Sequence, residues 1–183
     1  MTQLAQLLAI AAFVALALAV VIVIRRSARL VAETRDTERF RSGVADLAAR
    51  IDQSLGGVGG RIDAVRRHTA GAEDIAENIA AARDAVARYE VEARALRGRA
   101  GANELRDAIA AELERAARAL EMVDHGCAIL ASARIGSREL EAQTSIKRGY
   151  LNVLHAREAI ARHAVRSVAL GKREQTGLFE RRA

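Results

Sequence analysis

Residues 4–24 read LAQLLAIAAFVALALAVVIVI, and this run decides how the rest of the chain is organised. Gln6 is its only polar residue, and the run carries no charge. A helix needs about 20 apolar residues to cross a hydrocarbon core of about 30 Å, and it satisfies its own backbone hydrogen bonds there. The run therefore predicts a transmembrane anchor over residues 1–26.

The charges that flank the run predict its orientation. Arg25, Arg26 and Arg29 follow it, whereas no Lys or Arg precedes it. Because cytoplasmic flanks carry an excess of cations, we predict a single-pass membrane protein whose C-terminal part lies in the cytoplasm. A cleaved signal peptide is the alternative, but that would have a basic segment before a shorter apolar run.

The composition of the chain predicts an all-α fold. Its 183 residues are 51% hydrophobic, 28% charged and 3% aromatic, and they include no proline. Alanine, arginine, glutamate and leucine dominate, and these are good helix formers. No segment alternates between polar and apolar residues as a strand would. We therefore expect long amphipathic helices in an antiparallel bundle or a coiled coil.

Glycines and capping residues divide residues 27–171 into four predicted helices. These span about 27–55, 61–97, 103–134 and 137–170. Each glycine inside a helix costs about 1 kcal/mol relative to alanine, so the strongest break is expected at the glycine run. That run is the candidate hinge and contains Gly56, Gly57, Gly59 and Gly60. Residues 172–183 are mostly polar and predict a disordered basic tail.

A heptad repeat of apolar residues leaves the role of the glycine run open. From Val44 to Ala93 every seventh residue is apolar, and the repeat keeps its phase across the glycines. One interpretation is a turn between two helices of an antiparallel bundle. The other is a continuous helix that forms an extended parallel dimer. The candidate helix–helix interface consists of Val44, Leu47, Ile51, Val58, Val65, Ile79, Val86 and Leu96.

The histidines and the single cysteine do not form a recognisable site. His125 and Cys127 are too few to hold a metal ion alone. If the last two helices pair antiparallel around Gly136, His125 lies level with Lys147 and about 12 Å along the axis from His155. The glycine run also lacks the Lys-Ser/Thr of a phosphate-binding loop. We therefore predict no catalytic, metal-binding or cofactor-binding residues and no enzymatic activity.

The formal net charge of +6 falls in the last third of the chain. Seven cations there can line a helix and its tail: Lys147, Arg148, Arg157, Arg162, Arg166, Lys172 and Arg173. Nucleic acid is an unfavoured partner, because only Tyr150 and Phe179 lie nearby to stack on bases. Two interpretations of this basic third stay open: a charged helix face that is simply solvated, and a surface that binds anionic lipid.

These features predict a non-enzymatic, membrane-anchored helical scaffold or adaptor that acts through helix–helix contacts. Its partners would be the lipid bilayer and another protein or a second copy of the chain, as a homo-oligomer. One alternative is a membrane-linked signalling module that relays helix shifts through the glycine hinge. Another is an envelope or phage-lysis coiled coil, with its soluble part outside the cell.

Overall fold

The computed structural model describes the backbone of residues 2–98, 100–132 and 138–180. Side chains are described for Phe13 and for residues 16–98, 101–132 and 138–170. Within these residues the chain is all-α and contains no strand, which confirms the predicted fold class. The elements are α1 (Thr2–Arg66), a 3-10 turn (Glu73–Ile75), α2 (Ala76–Ala95), α3 (Ala100–Ala131) and α4 (Glu139–Glu180).

The second half of α1 packs with α2, α3 and α4 as an antiparallel four-helix bundle. Each helix runs beside its predecessor in the chain, and α4 closes the bundle against α1. One contact from each interface illustrates this order: Arg50 with Glu92, Arg94 with Glu114, Ser145 with the carbonyl of Met122, and Arg157 with Asp52. Short connections between neighbouring antiparallel helices are typical of such bundles.

The core is built from the apolar stripe of each helix. Ile51, Ile79, Leu113 and Ile160 are almost completely buried, and they represent the four helices in order. Burial of one such side chain stabilises the fold by about 1.5–3 kcal/mol relative to exposure. The spacing of three or four residues between apolar positions places these side chains on one face of each helix, and the bundle buries that face.

α1 runs without a break through residues 56–60, so the turn expected at the glycine run is not formed there. Four glycines cost a helix about 4 kcal/mol relative to alanines. The neighbouring Leu55, Val58 and Ile62 are all buried in the core, and each contributes about 1.5–3 kcal/mol. Burial thus offsets the cost of the glycines, and the helix continues.

The chain turns instead after Arg66, at a motif without a glycine in the key position. His68 adopts a left-handed backbone with φ 59°, and its N–H donates to the carbonyl of Val65. The N–H of Thr69 donates to the carbonyl of Ala64. These two bonds form a Schellman motif, which ends a helix and satisfies its last carbonyls. The heptad of residues 44–93 is consequently folded back on itself, unlike in the extended dimer.

The other helix boundaries differ from the predicted ones by a few residues at α3 and by more at α4. The break expected near Gly98 separates α2 from α3. The break expected at Gly136 and Ser137 lies outside the described residues. α4 continues past Gly171 to Glu180, so helix replaces the predicted disorder over most of the tail. Lys, Arg, Glu and Gln in this segment are good helix formers, and no proline stops them.

The N-terminal part of α1 extends away from the bundle. Every residue from 16 to 32 is exposed, and Phe40 is the first residue of α1 that is buried among the described side chains. Among the described residues, no helix has the length and apolar character required to cross a membrane. Within the predicted anchor, the side chains of residues 1–12, Val14 and Ala15 lie outside the described residues.

Candidate interaction surfaces

The eight predicted interface residues lie inside the chain's own bundle. Seven of them are buried, and Leu96 is half-buried where it packs beside Gly43. Their shared role is to join α1 and α2 to the rest of the core. A carboxylate introduced at Ile51 would therefore be placed in an apolar interior, where an unpaired charge strongly opposes folding. Such a variant reports on folding as well as on assembly.

α3 and α4 approach each other most closely at two glycines. A Cβ atom added to Gly126 would lie 2.7 Å from Ile146 Cγ1 and 2.8 Å from the carbonyl oxygen of Ala142. One added to Gly149 would lie 2.6 Å from Val123 Cγ2 and 2.7 Å from the carbonyl oxygen of Ala119. These facing pairs confirm the register predicted for the hairpin around Gly136.

Polar contacts between α1 and α2 surround Tyr89. Arg50 binds Glu92 and stacks over the Tyr89 ring, with its guanidinium carbon 5.5 Å from the ring centroid. The Tyr89 hydroxyl lies 2.9 Å from that of Ser54. The hydrogen bond from Arg50 lowers the pKa of the Glu92 carboxyl. The cluster is half-exposed, so it positions the two helices more than it stabilises them.

Cys127 lies buried in the core of α3. Burial, with a smaller effect of Asp124, raises the pKa of its thiol to about 11. Since the thiolate is the reactive form, Cys127 is a poor nucleophile at neutral pH. It behaves here as a small apolar side chain.

His163 is half-buried, and its Nδ1 atom is the buried side-chain nitrogen or oxygen that lacks a hydrogen-bond partner among the described residues. Its Nδ1 atom is inaccessible to water, and burial lowers the pKa of the imidazole, with the charge of Arg166 acting in the same direction. His125 and His155 are both exposed. No three His, Cys, Asp or Glu side chains of the described residues are grouped as metal ligands.

The cations predicted to line α4 are only partly free. Arg157 binds Asp52 of α1, and Arg162 lies 3.7 Å from Glu158. Lys147 and Arg166 form no ion pair with a described residue. The side chains of Lys172 and Arg173 lie outside the described residues. Arg25, Arg26 and Arg29, which follow the apolar run and were predicted to flank a membrane, are exposed on the part of α1 outside the bundle.

Cavities lie at both ends of the bundle. The one near the N-terminal extension, here called the proximal groove, has a volume of about 640 Å³. Its apolar lining includes Phe40, Leu96 and Leu170, and Arg39 and Arg97 lie on its rim.

The hollow at the other end, here called the distal pocket, has a volume of about 130 Å³. It lies where the end of α1 meets the end of α3 and the first turns of α4. Its lining consists of Val65, Arg66, His68, Leu130, Gln143, Ile146 and Lys147. Sequence analysis missed this pocket, because its walls come from segments about 80 residues apart and no local motif joins them.

The fold and these surfaces define the class of the protein: an antiparallel four-helix bundle whose first helix extends far beyond it. No protein-family model, no curated protein and no solved structure matches the chain.

Proposed function

We propose that this protein is a non-enzymatic, membrane-anchored adaptor, in which α1 inserts its N-terminal run into a bilayer and carries the bundle on the other side. The observation that carries the proposal is the continuity of α1. One unbroken helix of 65 residues holds both the apolar run and the core positions from Val44 to Val65. At 1.5 Å per residue such a helix is roughly 100 Å long.

The exposure of the apolar run supports membrane attachment. Phe13 is 73% exposed, and consecutive residues such as Val23 and Ile24 are 65% and 61% exposed on different sides of the helix. A helix that is apolar all round is buried in a protein or a membrane. None of the other described helices covers these side chains, and a bilayer would cover all of them.

The path of α4 supports contact with anionic lipid. Because α4 runs antiparallel to α1, its C-terminal end lies at the same end of the bundle as the apolar run. Leu170 and Phe40 line the same groove there. α4 continues beyond Leu170 through Lys172 and Arg173 to Glu180, so its last turns run towards the proposed membrane. A cation close to an anionic membrane surface contributes about 1 kcal/mol to binding.

The outer face of α4 is the surface that we assign to protein partners, including a second copy of the chain. Leu140, Leu151 and Val165 are exposed, and their spacing places them within about 40° of one another around the helix. One helix of a partner packed along this line would cover all three side chains. The core residues proposed earlier as an interface are already occupied within the bundle.

Membrane insertion is tested with the full chain expressed in cells, followed by alkaline extraction of the membrane fraction. The variant Leu18→Arg/Val21→Arg should move the protein out of the membrane pellet, since each arginine at the centre of a bilayer costs about 2.5–3.5 kcal/mol on the insertion scale. The matched control Leu30→Arg/Val31→Arg lies beyond the run and should remain in the pellet. Equal extraction of both variants would refute the anchor.

Orientation needs an accessible cysteine, because Cys127 is buried. Val91 is 70% exposed on α2, so Val91→Cys in a Cys127→Ala background supplies one. A membrane-impermeant maleimide should label this variant only after the cells are permeabilised. Labelling of intact cells would instead support the envelope alternative and overturn the cytoplasmic assignment.

Self-association is tested by light scattering of the full chain in detergent. Leu151→Asp/Val165→Asp should convert an oligomer to a monomer without loss of helix, because both side chains are exposed. If the wild-type chain is monomeric, a second copy is excluded as the partner, and the partner would be a different protein.

A further inference from the structure

The distal pocket is the described cavity farthest from the membrane in the proposed arrangement. Arg66, on its rim, lies 42 residues along α1 from Ile24, the last residue of the apolar run. A continuous helix places the two roughly 60 Å apart. Electrostatic attraction to a membrane surface decays over about 8 Å at physiological ionic strength. The lipid headgroups of the anchoring bilayer are therefore too far away to occupy this pocket.

The floor and the rim of the pocket differ in character. Val65 and Ile146 form an apolar floor together with the half-buried Leu130. The side chains of His68, Gln143, Lys147 and Arg66 surround it and offer hydrogen-bond donors. A volume of about 130 Å³ has room for a side chain rather than for a cofactor. The arrangement suits a small apolar group that carries a polar acceptor beside it.

Cations outnumber carboxylates at the rim. Arg66 and Arg67 share one partner, Asp63, at 2.6 and 2.7 Å. Arg66 also stacks over Tyr150, with its guanidinium carbon 5.5 Å from the ring centroid, so it is held at the pocket wall. Lys147 forms no ion pair with a described carboxylate. The rim therefore carries more positive charge than Asp63 neutralises, and a partner can supply a further carboxylate.

The backbone at His68 points to the same place. It is the one non-glycine residue with positive φ in the described chain, and its side chain lines the pocket. Glycine occupies this position of a Schellman motif most often, because other residues are strained there. Strained residues are found preferentially at functional sites. A glycine at position 68 would relieve this strain, but the rim of the pocket would then lack the imidazole.

We propose that the distal pocket binds a short acidic segment of a partner polypeptide, with an aliphatic side chain on the floor and a neighbouring carboxylate bound by Lys147 and His68. This inference deepens the adaptor proposal, on which it rests, by naming the chemistry of the partner. Insertion and peptide binding are measured separately. A chain that inserts into membranes and binds no acidic peptide refutes this inference alone.

The test uses the full chain in nanodiscs of uncharged phosphatidylcholine and the peptide acetyl-Glu-Leu-Glu-amide. Ligand-observed saturation-transfer NMR detects the weak binding expected of so small a probe, with a dissociation constant on the order of 1 mM. Saturation should concentrate on the leucine methyl groups. The peptides acetyl-Gln-Leu-Gln-amide and acetyl-Glu-Ser-Glu-amide should each bind at least 5-fold more weakly, since they lack the charges and the apolar side chain, respectively.

Two pairs of variants connect binding to the pocket. Lys147→Gln should weaken binding about 5-fold, whereas Arg148→Gln, an exposed neighbour that does not line the pocket, should change it less than 2-fold. His68→Gly should weaken binding and raise the melting temperature. His68→Asn keeps a polar side chain that tolerates this backbone, and it should retain more of the binding than His68→Gly does.

Three further outcomes would overturn the inference. Equal effects of Lys147→Gln and Arg148→Gln would show general attraction to a basic surface. Equal binding of the Glu and Gln peptides would show that charge is not recognised. Lys147-dependent binding to added vesicles of phosphatidylserine, without peptide binding, would assign the pocket to a membrane surface.

Discussion

The glycines of α1 and those of the α3–α4 hairpin have opposite roles. In α1, four glycines lie within five residues, and Cβ atoms added to Gly57, Gly59 or Gly60 would meet no neighbouring atom within 4 Å. In the hairpin, Gly126 and Gly149 stand singly, and added Cβ atoms would clash with backbone of the facing helix. The glycine cluster of α1 could therefore be replaced by larger residues, whereas the close packing of α3 against α4 requires glycine at positions 126 and 149. Space around the Cα atom, and not local glycine density, determines which glycine matters.

The largest effect is expected from filling the close contact in the hairpin. Gly149→Ala should lower the free energy of unfolding by about 2–3 kcal/mol, because the new methyl group forces α3 and α4 apart along a backbone contact. Gly126→Ala should behave alike. Urea denaturation followed by circular dichroism measures both.

Gly101→Ala is the matched control for these two variants. Its added Cβ would lie 3.7 Å from Leu170 Cδ2, an ordinary van der Waals distance. Stability losses at Gly126 and Gly149 no larger than at Gly101 would contradict the close approach of α3 and α4.

In α1, by contrast, replacing glycines with alanine is expected to increase the free energy of unfolding. The triple variant Gly57→Ala/Gly59→Ala/Gly60→Ala should raise the free energy of unfolding by about 2 kcal/mol, since alanine favours helix at each site by up to about 1 kcal/mol. Gly56→Ala should gain less, because its Cβ would lie 3.3 Å from the guanidinium carbon of Arg157. The same urea titration serves, and destabilisation by the triple variant would indicate that these glycines open a hinge.

A smaller gain is expected at the turn that joins α1 to α2. His68→Gly removes the strain of a left-handed non-glycine residue and should stabilise the fold by about 1 kcal/mol. His68→Ala keeps the strain and should bring no such gain. Thermal unfolding of the two variants side by side separates backbone strain from loss of the imidazole.

The smallest effect concerns the ion pair between α1 and α4, and it depends on pH. The hydrogen bond from Arg157 holds the pKa of Asp52 below its ordinary value. This contribution to stability is therefore present above the unfolded-state pKa of about 4 and is lost as pH falls through the depressed folded-state value. Asp52 is half-exposed, so Arg157→Gln should cost at most about 0.5 kcal/mol at pH 7, and this cost should shrink as pH falls below about 4.

Glu158→Gln provides the control for that measurement, because its partner Arg162 lies 3.7 Å away on the same exposed helix face. It should leave the pH dependence of stability nearly unchanged. An equal loss in both variants would mean that Arg157 and Asp52 contribute no more than an ordinary surface pair.

Sequence periodicity predicted the helical class, the break near Gly98 and the register of the α3–α4 hairpin. Those features follow from local spacing and capping. The first turn was predicted at the wrong place. The prediction counted the cost of each glycine in a helix but not the stabilisation that comes from burying Leu55, Val58 and Ile62 in the core. The true turn at His68 carries a residue that rarely adopts its conformation, so no local signal marks it.

Periodicity could place residues on a buried face but could not say which helix covers that face. Val44, Ile51 and Val86 have the same spacing in a dimeric coiled coil and in a folded bundle. Long-range packing decides between the two, and it brings the walls of the distal pocket together in the same step. The surface of α4 and this pocket therefore became visible only with the antiparallel order of the helices.

The unbroken α1 also limits where the bundle can go. A flexible linker of about a dozen residues in place of residues 27–39 would let the bundle wander over about 20 Å around its attachment point. A continuous helix instead restricts the distance between the bundle and the apolar run, because no joint separates the two. In the proposed arrangement, a partner meets the distal end in a thin layer parallel to the bilayer. The anchored chain would then encounter its partners mainly by diffusing in the plane of the bilayer, that is, in two dimensions.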